Sequence, residues 1–163
     1  MKLLEGYVEN RTKEAALAGI MGTLFIIGRN FAIPIIPGVW NFTFSPITVY
    51  AAVAILSYPY TYLFPLLHLY RGSKPIGCIA YWVGTQTVFF LSKAVGKKRT
   101  PHILFMGDVT GYLAYGVLLD VTGVMDFWSF MIWLGPVFLL TLISIYFGGW
   151  IYWKAFKRAG LID

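Results

Sequence analysis

Charged side chains are confined to short clusters along the chain, and the segments between these clusters are apolar over almost their whole length. Apolar segments of about 20 residues match the thickness of a bilayer core, whereas a surface helix of a soluble protein is apolar on one face only. Four such segments are predicted to be membrane-spanning helices: residues 15–33, 75–92, 100–122 and 127–153.

Residues 30–70 form a longer apolar run, which has no charged residue and holds five of the eight prolines. Its 41 residues are about twice the ~20 needed for one crossing. Proline ends or kinks an ordinary spanning helix. Broken apolar backbone is stable in a membrane only where protein covers it or where it lines a cavity. The run therefore predicts a protein that encloses something, more than a row of simple anchors.

Residues 44–70 within this run form either one long kinked helix or two short helices that meet near residues 57–60. The thirteen lysines and arginines favour two helices. Two helices give six crossings and place ten of these residues on one side of the membrane, whereas one helix gives five crossings and places at most eight there. The side enriched in these residues is the cytoplasmic one. Each short helix would rise only ~18 Å, so it must be tilted, extended by turns or shielded by longer helices. We expect an all-α polytopic membrane bundle of about six transmembrane helices, with both termini cytoplasmic.

The composition supports a membrane protein. Hydrophobic residues make up 58% of the chain, charged residues only 12%, and the mean hydropathy is +0.70. The net charge of +6 lies at the ends of apolar segments and forms no stripe, which excludes a nucleic-acid partner. We predict one transmembrane domain over residues 1–163, in the cell membrane as a multi-pass protein, with a polar tail at 1–13 and a basic tail at 154–163.

Motifs of phosphate loops, serine hydrolases and zinc proteases do not occur in the sequence. His68 and His102 are 34 residues apart, without the short spacing of paired metal or haem ligands on one helix. We therefore predict no enzymatic activity, no cofactor and no resident metal site.

The segment 34–45, between the first two predicted helices, is a candidate lid. It has no charged residue, two prolines that stiffen it and a glycine that allows a turn. Such a loop either folds over a pocket or rests on lipid headgroups with Trp40 at the interface.

Polar residues inside the predicted helices mark further candidates. A charged side chain at mid-helix costs about 2.5–3.5 kcal/mol on insertion scales, so Asp108 is either functional or paired with a loop lysine or a helix end. Asp120 is either functional or hydrated near the outer surface. Gln86 shares a helix face with Trp82 and belongs either to an aromatic-walled pocket or to an interhelical hydrogen bond.

This layout resembles the S components of energy-coupling-factor (ECF) transporters, the membrane subunits that bind vitamins or metals for uptake. The resemblance rests on the broken loop IPIIPGVWNF, the small residues of AALAGIMG and the last helix with its basic end, GPVFLLTLISIYFGGWIYWKAFKR. It implies six helices, a loop after the first helix that covers an outward-facing pocket, and a pocket built mainly from helices 4 to 6. It also implies that small-xxx-small pairs dock the first helix on a coupling subunit; these residues are Ala15, Ala18, Gly19 and Gly22.

The resemblance implies a substrate-binding subunit of an ATP-driven uptake transporter for a vitamin-like small solute or metal, with a coupling membrane subunit and ATPases as partners. The expected substrate-binding residues are Trp40, Asn41, Trp82, Gln86, Tyr115, Asp120 and Trp133. Three outer cations, Arg29, Arg71 and Lys74, either attract an anionic solute or contact lipid phosphates. The alternative is a non-catalytic accessory subunit of a larger membrane complex, such as a respiratory assembly.

Overall fold

The structure, a computed structural model, describes Val8 and residues 10–31, 33–36, 40–70, 72–95 and 100–161. Six α-helices form most of this part of the chain: α1 (Arg11–Asn30), α2 (Ser45–Ile55), α3 (Leu63–Tyr70), α4 (Pro75–Val95), α5 (Thr100–Val121) and α6 (Phe127–Arg158). A β-hairpin, β1 (Ile33–Ile36) and β2 (Trp40–Phe42), connects α1 to α2, and a 3-10 turn at Tyr58–Thr61 precedes α3. The predicted helical fold with six helices is confirmed.

The first helix begins at a side-chain cap. Asn10 Oδ1 accepts hydrogen bonds from the backbone N–H groups of Thr12 (2.9 Å) and Lys13 (3.2 Å), which have no partner inside the helix. The helix therefore begins before the apolar segment that predicted it, and its first turn includes Glu14. Glu14 is buried and accepts a hydrogen bond from the backbone N–H of Ser57 at 2.5 Å. This contact connects the start of α1 to the chain just after α2.

Residues 44–70 fold as two short helices, as the distribution of lysine and arginine predicts. Every residue of α2 from Ile47 to Ile55 is buried, and the helix packs against α1, α4, α5 and α6. A helix that is apolar on all sides is stable at the centre of a bundle, where longer helices cover it. Its 11 residues rise only about 16 Å, and shielding by neighbours is what makes this length sufficient.

Three prolines of this region stand in the first turns of helical segments. Pro46 occupies the start of α2, Pro59 the start of the 3-10 turn, and Pro65 is the third residue of α3. The N–H groups of a first turn have no intrahelical acceptor, so proline removes no hydrogen bond there. The prolines therefore divide the apolar run without leaving broken hydrogen bonds in its helices.

Helices α4 and α5 cross closely and run antiparallel. A Cβ atom at Gly84 would lie 2.7 Å from the carbonyl oxygen of Gly107, and one at Gly107 would lie 2.1 Å from Val88 Cγ2. Larger residues at either position would force the two backbones apart. The close crossing places Tyr50 of α2 against both helices, since the same Cβ at Gly84 would lie 2.6 Å from its hydroxyl.

The segment between α1 and α2, predicted as a loop, forms a short β-hairpin in the otherwise helical fold. Its strands pair antiparallel, with Ile33 opposite Phe42 and Ile36 opposite Trp40, and the register shifts between Pro34 and Ile36. The β-branched isoleucines of this segment favour extended backbone. The segment that the sequence predicts as a lid is therefore a short hairpin with an irregular register.

Two helices in the described residues are long and apolar enough to cross a membrane, at Pro101–Val121 and Phe127–Arg158. Only 39% and 28% of their apolar windows are buried inside the protein. Both therefore present much of their apolar surface outward. Helices α1 and α4, of 20 and 21 residues, are not among them.

Candidate ligand-binding cavity

A cavity of about 430 Å³ lies beyond the N-terminal end of α2. Its walls come from the middle of α5 and α6, the first turns of α4, and the ends of α1 and α3. Thr43 and Ser45, which follow the hairpin, line it as well. The cavity exists because α2 is shorter than its neighbours and begins at Ser45, so the space beyond its first turn is left to side chains of the surrounding helices.

Asp108 of α5 is the carboxylate of this cavity. Its exposed fraction is 8%, and its Oδ2 atom is buried without a hydrogen-bond partner. Within the described part of the chain, no cation forms an ion pair with it. The alternative role as a helix cap is not seen in the described part of the chain, because no backbone N–H there donates to Asp108. Of the loop lysines considered as partners, those at positions 97 and 98 lie outside the described residues.

Tyrosine side chains surround this carboxylate. Tyr50, Tyr81 and Tyr112 line the cavity, and each lies within electrostatic range of Asp108. The rings of Tyr50 and Tyr81 are 5.7 Å apart, and the ring of Tyr112 stacks on Phe138 at 3.8 Å with an interplanar angle of 9°. The Tyr112 hydroxyl is buried without a partner. The interior is thus aromatic, with a few polar atoms that have no internal partner.

Positively charged residues lie at the rim. Arg29, at the end of α1, donates hydrogen bonds to His68 of α3 and to Ser73 in the turn before α4. The His68 nitrogen that faces Arg29 must be an acceptor, so the ring is neutral in this arrangement. His68 also stacks on Tyr81, with ring centroids 4.9 Å apart and an interplanar angle of 9°. Lys74 is exposed beside them and lines the same rim.

The structure brings Tyr115 to the cavity, but it places Trp82 and Gln86 outside its lining. Trp82 stacks against Tyr62 on another face of α4, with ring centroids 6.1 Å apart. Gln86 Nε2 donates to Thr61 Oγ1 at 3.1 Å, which is the interhelical hydrogen bond that the sequence offered as the alternative. Helix α4 contributes Tyr81 to the cavity instead. Because successive residues of a helix point about 100° apart, Tyr81 and Trp82 lie on different faces of α4.

Asp120 and Trp133 also lie away from the cavity lining. Asp120 is exposed near the end of α5, and the exposed fraction of Trp133 is 69%. Trp40 and Asn41 belong to β2, but their side chains lie outside what the structure describes, as does Arg71. The contact of the lid residues with a ligand therefore stays a prediction.

The four residues predicted for docking divide between two faces of α1. Ala18 and Gly22 are buried, and Gly22 packs close to Leu67 of α3. Ala15 and Gly19 are exposed, and nothing lies within 4 Å of a Cβ placed at Gly19. Of the four residues, only Ala15 and Gly19 are therefore available on the outside of the bundle.

Several cavity residues were not proposed as ligand contacts from the sequence: Tyr50, His68, Tyr81, Phe138 and Thr141. Tyr50 carries a signal in hindsight, because it is the one tyrosine within the apolar α2. The others share no such signal, since aromatic residues are frequent throughout the chain, at 18%.

Comparisons with family models, curated proteins and solved structures found no match for this chain.

Proposed function

We propose that this protein is the substrate-binding subunit of an ATP-driven uptake transporter, embedded in the cell membrane, and that it takes a small organic solute. The observation that carries the proposal is the cavity of about 430 Å³ with an unpartnered buried carboxylate inside it. Ligand pockets of proteins typically have volumes of roughly 300–1,000 Å³ with apolar walls and a few polar groups. A vitamin-sized molecule fits this range.

The outward faces of α5 and α6 support a membrane location. Large apolar side chains on α6 remain exposed at helical spacing: Ile132, Leu139, Ile143, Phe147 and Ile151, all at least 54% exposed. A water-soluble protein rarely leaves so long an apolar stripe uncovered. Acyl chains would cover this stripe in a bilayer, and the remaining helices would complete a bundle of six crossings.

The distribution of charge supports a cavity that faces outward. The bundle end near the cavity rim carries Arg29 and Lys74, whereas the opposite end carries the three basic residues that close α6, Lys154, Lys157 and Arg158, together with Lys93 at the end of α4. Cytoplasmic segments of membrane proteins are enriched in lysine and arginine. A solute would then enter from outside, and the hairpin beside Thr43 and Ser45 would cover it.

The proposal is tested by looking for a bound solute. The protein, purified in lipid nanodiscs, is examined by native mass spectrometry for a co-purified small molecule and by thermal unfolding with a panel of vitamins and metal ions. A ligand at 100 times its dissociation constant should stabilise the folded state by about 2.7 kcal/mol.

Two variants of α6 locate that binding. Thr141 lines the cavity, and Ile143 is 54% exposed on the outer surface of the same helix. Thr141→Phe should fill the cavity and remove the stabilisation, whereas Ile143→Phe should keep it. A chain that binds nothing in the panel and always co-purifies with an electron-transfer complex would be an accessory subunit instead.

A further inference from the structure

We propose that the ligand of this cavity is a small aromatic solute with two charged ends, a cationic amine-type group bound by Asp108 and an anionic group bound at the rim by Lys74 and Arg29. This inference rests on the proposed binding function and adds the chemical class of the solute. It follows from the separation of charges along one cavity, which holds a carboxylate in its interior and cations at its edge.

The interior requires a hydrogen-bond donor. Asp108 is only 8% exposed, and its Oδ2 atom has no hydrogen-bond partner. A buried charge without a counter-ion is costly, and the cost disappears when a cation with N–H groups enters and forms a charge-assisted hydrogen bond. A neutral donor would satisfy the hydrogen bond but leave the charge without a counter-ion, and an anionic group would be repelled.

The middle of the cavity favours a flat ring. The stacked pair Tyr112–Phe138 forms one wall, and the stacked pair His68–Tyr81 forms another. Aromatic faces bind planar rings by offset stacking and also favour a nearby cation. An aromatic body between the two charged ends therefore matches the space between Asp108 and the rim.

The rim attracts an anion. Arg29 and Lys74 bring two positive charges to the edge of the cavity. Tyr81 lies between the two ends, within electrostatic range of both Asp108 and Arg29. Asp108 itself pairs with neither rim cation. A solute with one charge would be attracted at one end only, whereas a dipolar solute is attracted at both.

Three matched probes test the inference on the protein in lipid nanodiscs, by isothermal titration calorimetry: 4-(aminomethyl)benzoate, 4-methylbenzoate and benzylamine. All three contain one benzene ring. The first carries both charges, the second carries only the anion and the third carries only the cation. The dipolar probe should bind at least about tenfold more tightly than 4-methylbenzoate, because a hydrogen bond to a charged group is worth this much or more. This comparison needs no variant protein.

Variants assign the two ends. Asp108→Asn should weaken both amine-bearing probes about tenfold or more and leave 4-methylbenzoate unchanged. Asp120→Asn, which removes an exposed carboxylate from the same helix, serves as the control and should change none of the three. Lys74→Gln should weaken only the two benzoates, by a few fold, because the lysine is exposed.

The outcomes separate this inference from the binding function. Equal affinity for the dipolar probe and 4-methylbenzoate, or an unchanged profile in Asp108→Asn, would overturn the assignment of Asp108. If native mass spectrometry finds a bound solute and none of the three probes binds at millimolar concentration, the solute class is wrong and the binding function stands. If no solute is found and no probe binds, both proposals fail.

Discussion

Among the described residues, two carboxylates are buried, and their surroundings differ. Glu14 has an exposed fraction of 6% and accepts the backbone N–H of Ser57 at 2.5 Å. Asp108 is 8% exposed, yet its Oδ2 atom has no partner. A buried acid that is satisfied by the backbone holds two segments together, whereas one left unsatisfied in a cavity is suited to a group from outside. Whether a buried carboxylate has hydrogen-bond partners is therefore more informative about function than its burial alone.

The largest effect on stability is expected at Glu14. Replacement by alanine leaves the Ser57 N–H without its acceptor, and an unsatisfied buried polar group costs about 1–3 kcal/mol. Glu14→Ala should lower the unfolding temperature in nanodiscs. Glu14→Gln keeps an oxygen acceptor and should lose less. If the alanine variant unfolds at the same temperature as the original protein, the contact contributes nothing to the fold.

Asp108 should behave in the opposite way when no ligand is present. Asn at this position removes a charge that has no counter-ion, so the free energy of unfolding should stay within about 1 kcal/mol or rise. Thermal unfolding of Asp108→Asn without added solute measures this. A marked loss of stability would indicate that the fold already satisfies the carboxylate, and the comparison with Glu14 would no longer hold.

The smallest effect concerns Asp126, an exposed acid that does have a partner. Asp126 caps α6, and its Oδ1 atom accepts the backbone N–H of Ser129 at 2.9 Å. The hydrogen bond with the Ser129 side chain, followed by the one from this backbone N–H, lowers the pKa of the carboxyl below its usual range. Because its pKa is lower in the folded state, its contribution is present above the pKa of the unfolded chain and disappears as the pH falls through the folded value.

Asp126→Ala should therefore lower the unfolding temperature slightly at neutral pH and leave it unchanged in strong acid. Thermal unfolding at two pH values tests this, with Asp120→Asn as the matched exposed control. A difference of the same size at both pH values would show that the effect of the substitution does not come from the charged cap.

Much of the fold followed from the order of apolar, charged and proline residues. The choice of two helices in residues 44–70 came from the placement of lysine and arginine, and it is confirmed by α2 and α3. The predicted junction near residues 57–60 coincides with the 3-10 turn that contains Pro59. Pro65 had no explanation in the sequence, and its place in the first turn of α3 supplies one. The hairpin before α2 was missed because its segment is short and rich in proline.

The candidate site was harder to predict. Asp108 stood out because a charge inside an apolar helix is costly in any arrangement, and Tyr115 was chosen from the same helix. Trp82 and Gln86 share a face of α4, but nothing in the sequence says that this face meets Tyr62 and Thr61 and not the cavity. Helices that are apolar on all sides carry little information about which side faces inward.

The sequence by itself determined the helical class, the number of helices and the places where most of them begin, because these depend on local preferences and on the spacing of apolar and charged residues. The tertiary structure alone decided which buried polar groups find partners. That outcome depends on atoms brought together from distant parts of the chain, as with Glu14 and Ser57, or left apart, as with Asp108 and the rim cations. The short α2 at the centre of the bundle illustrates both, since its length can be read from the sequence and the cavity beyond its end appears only in the fold.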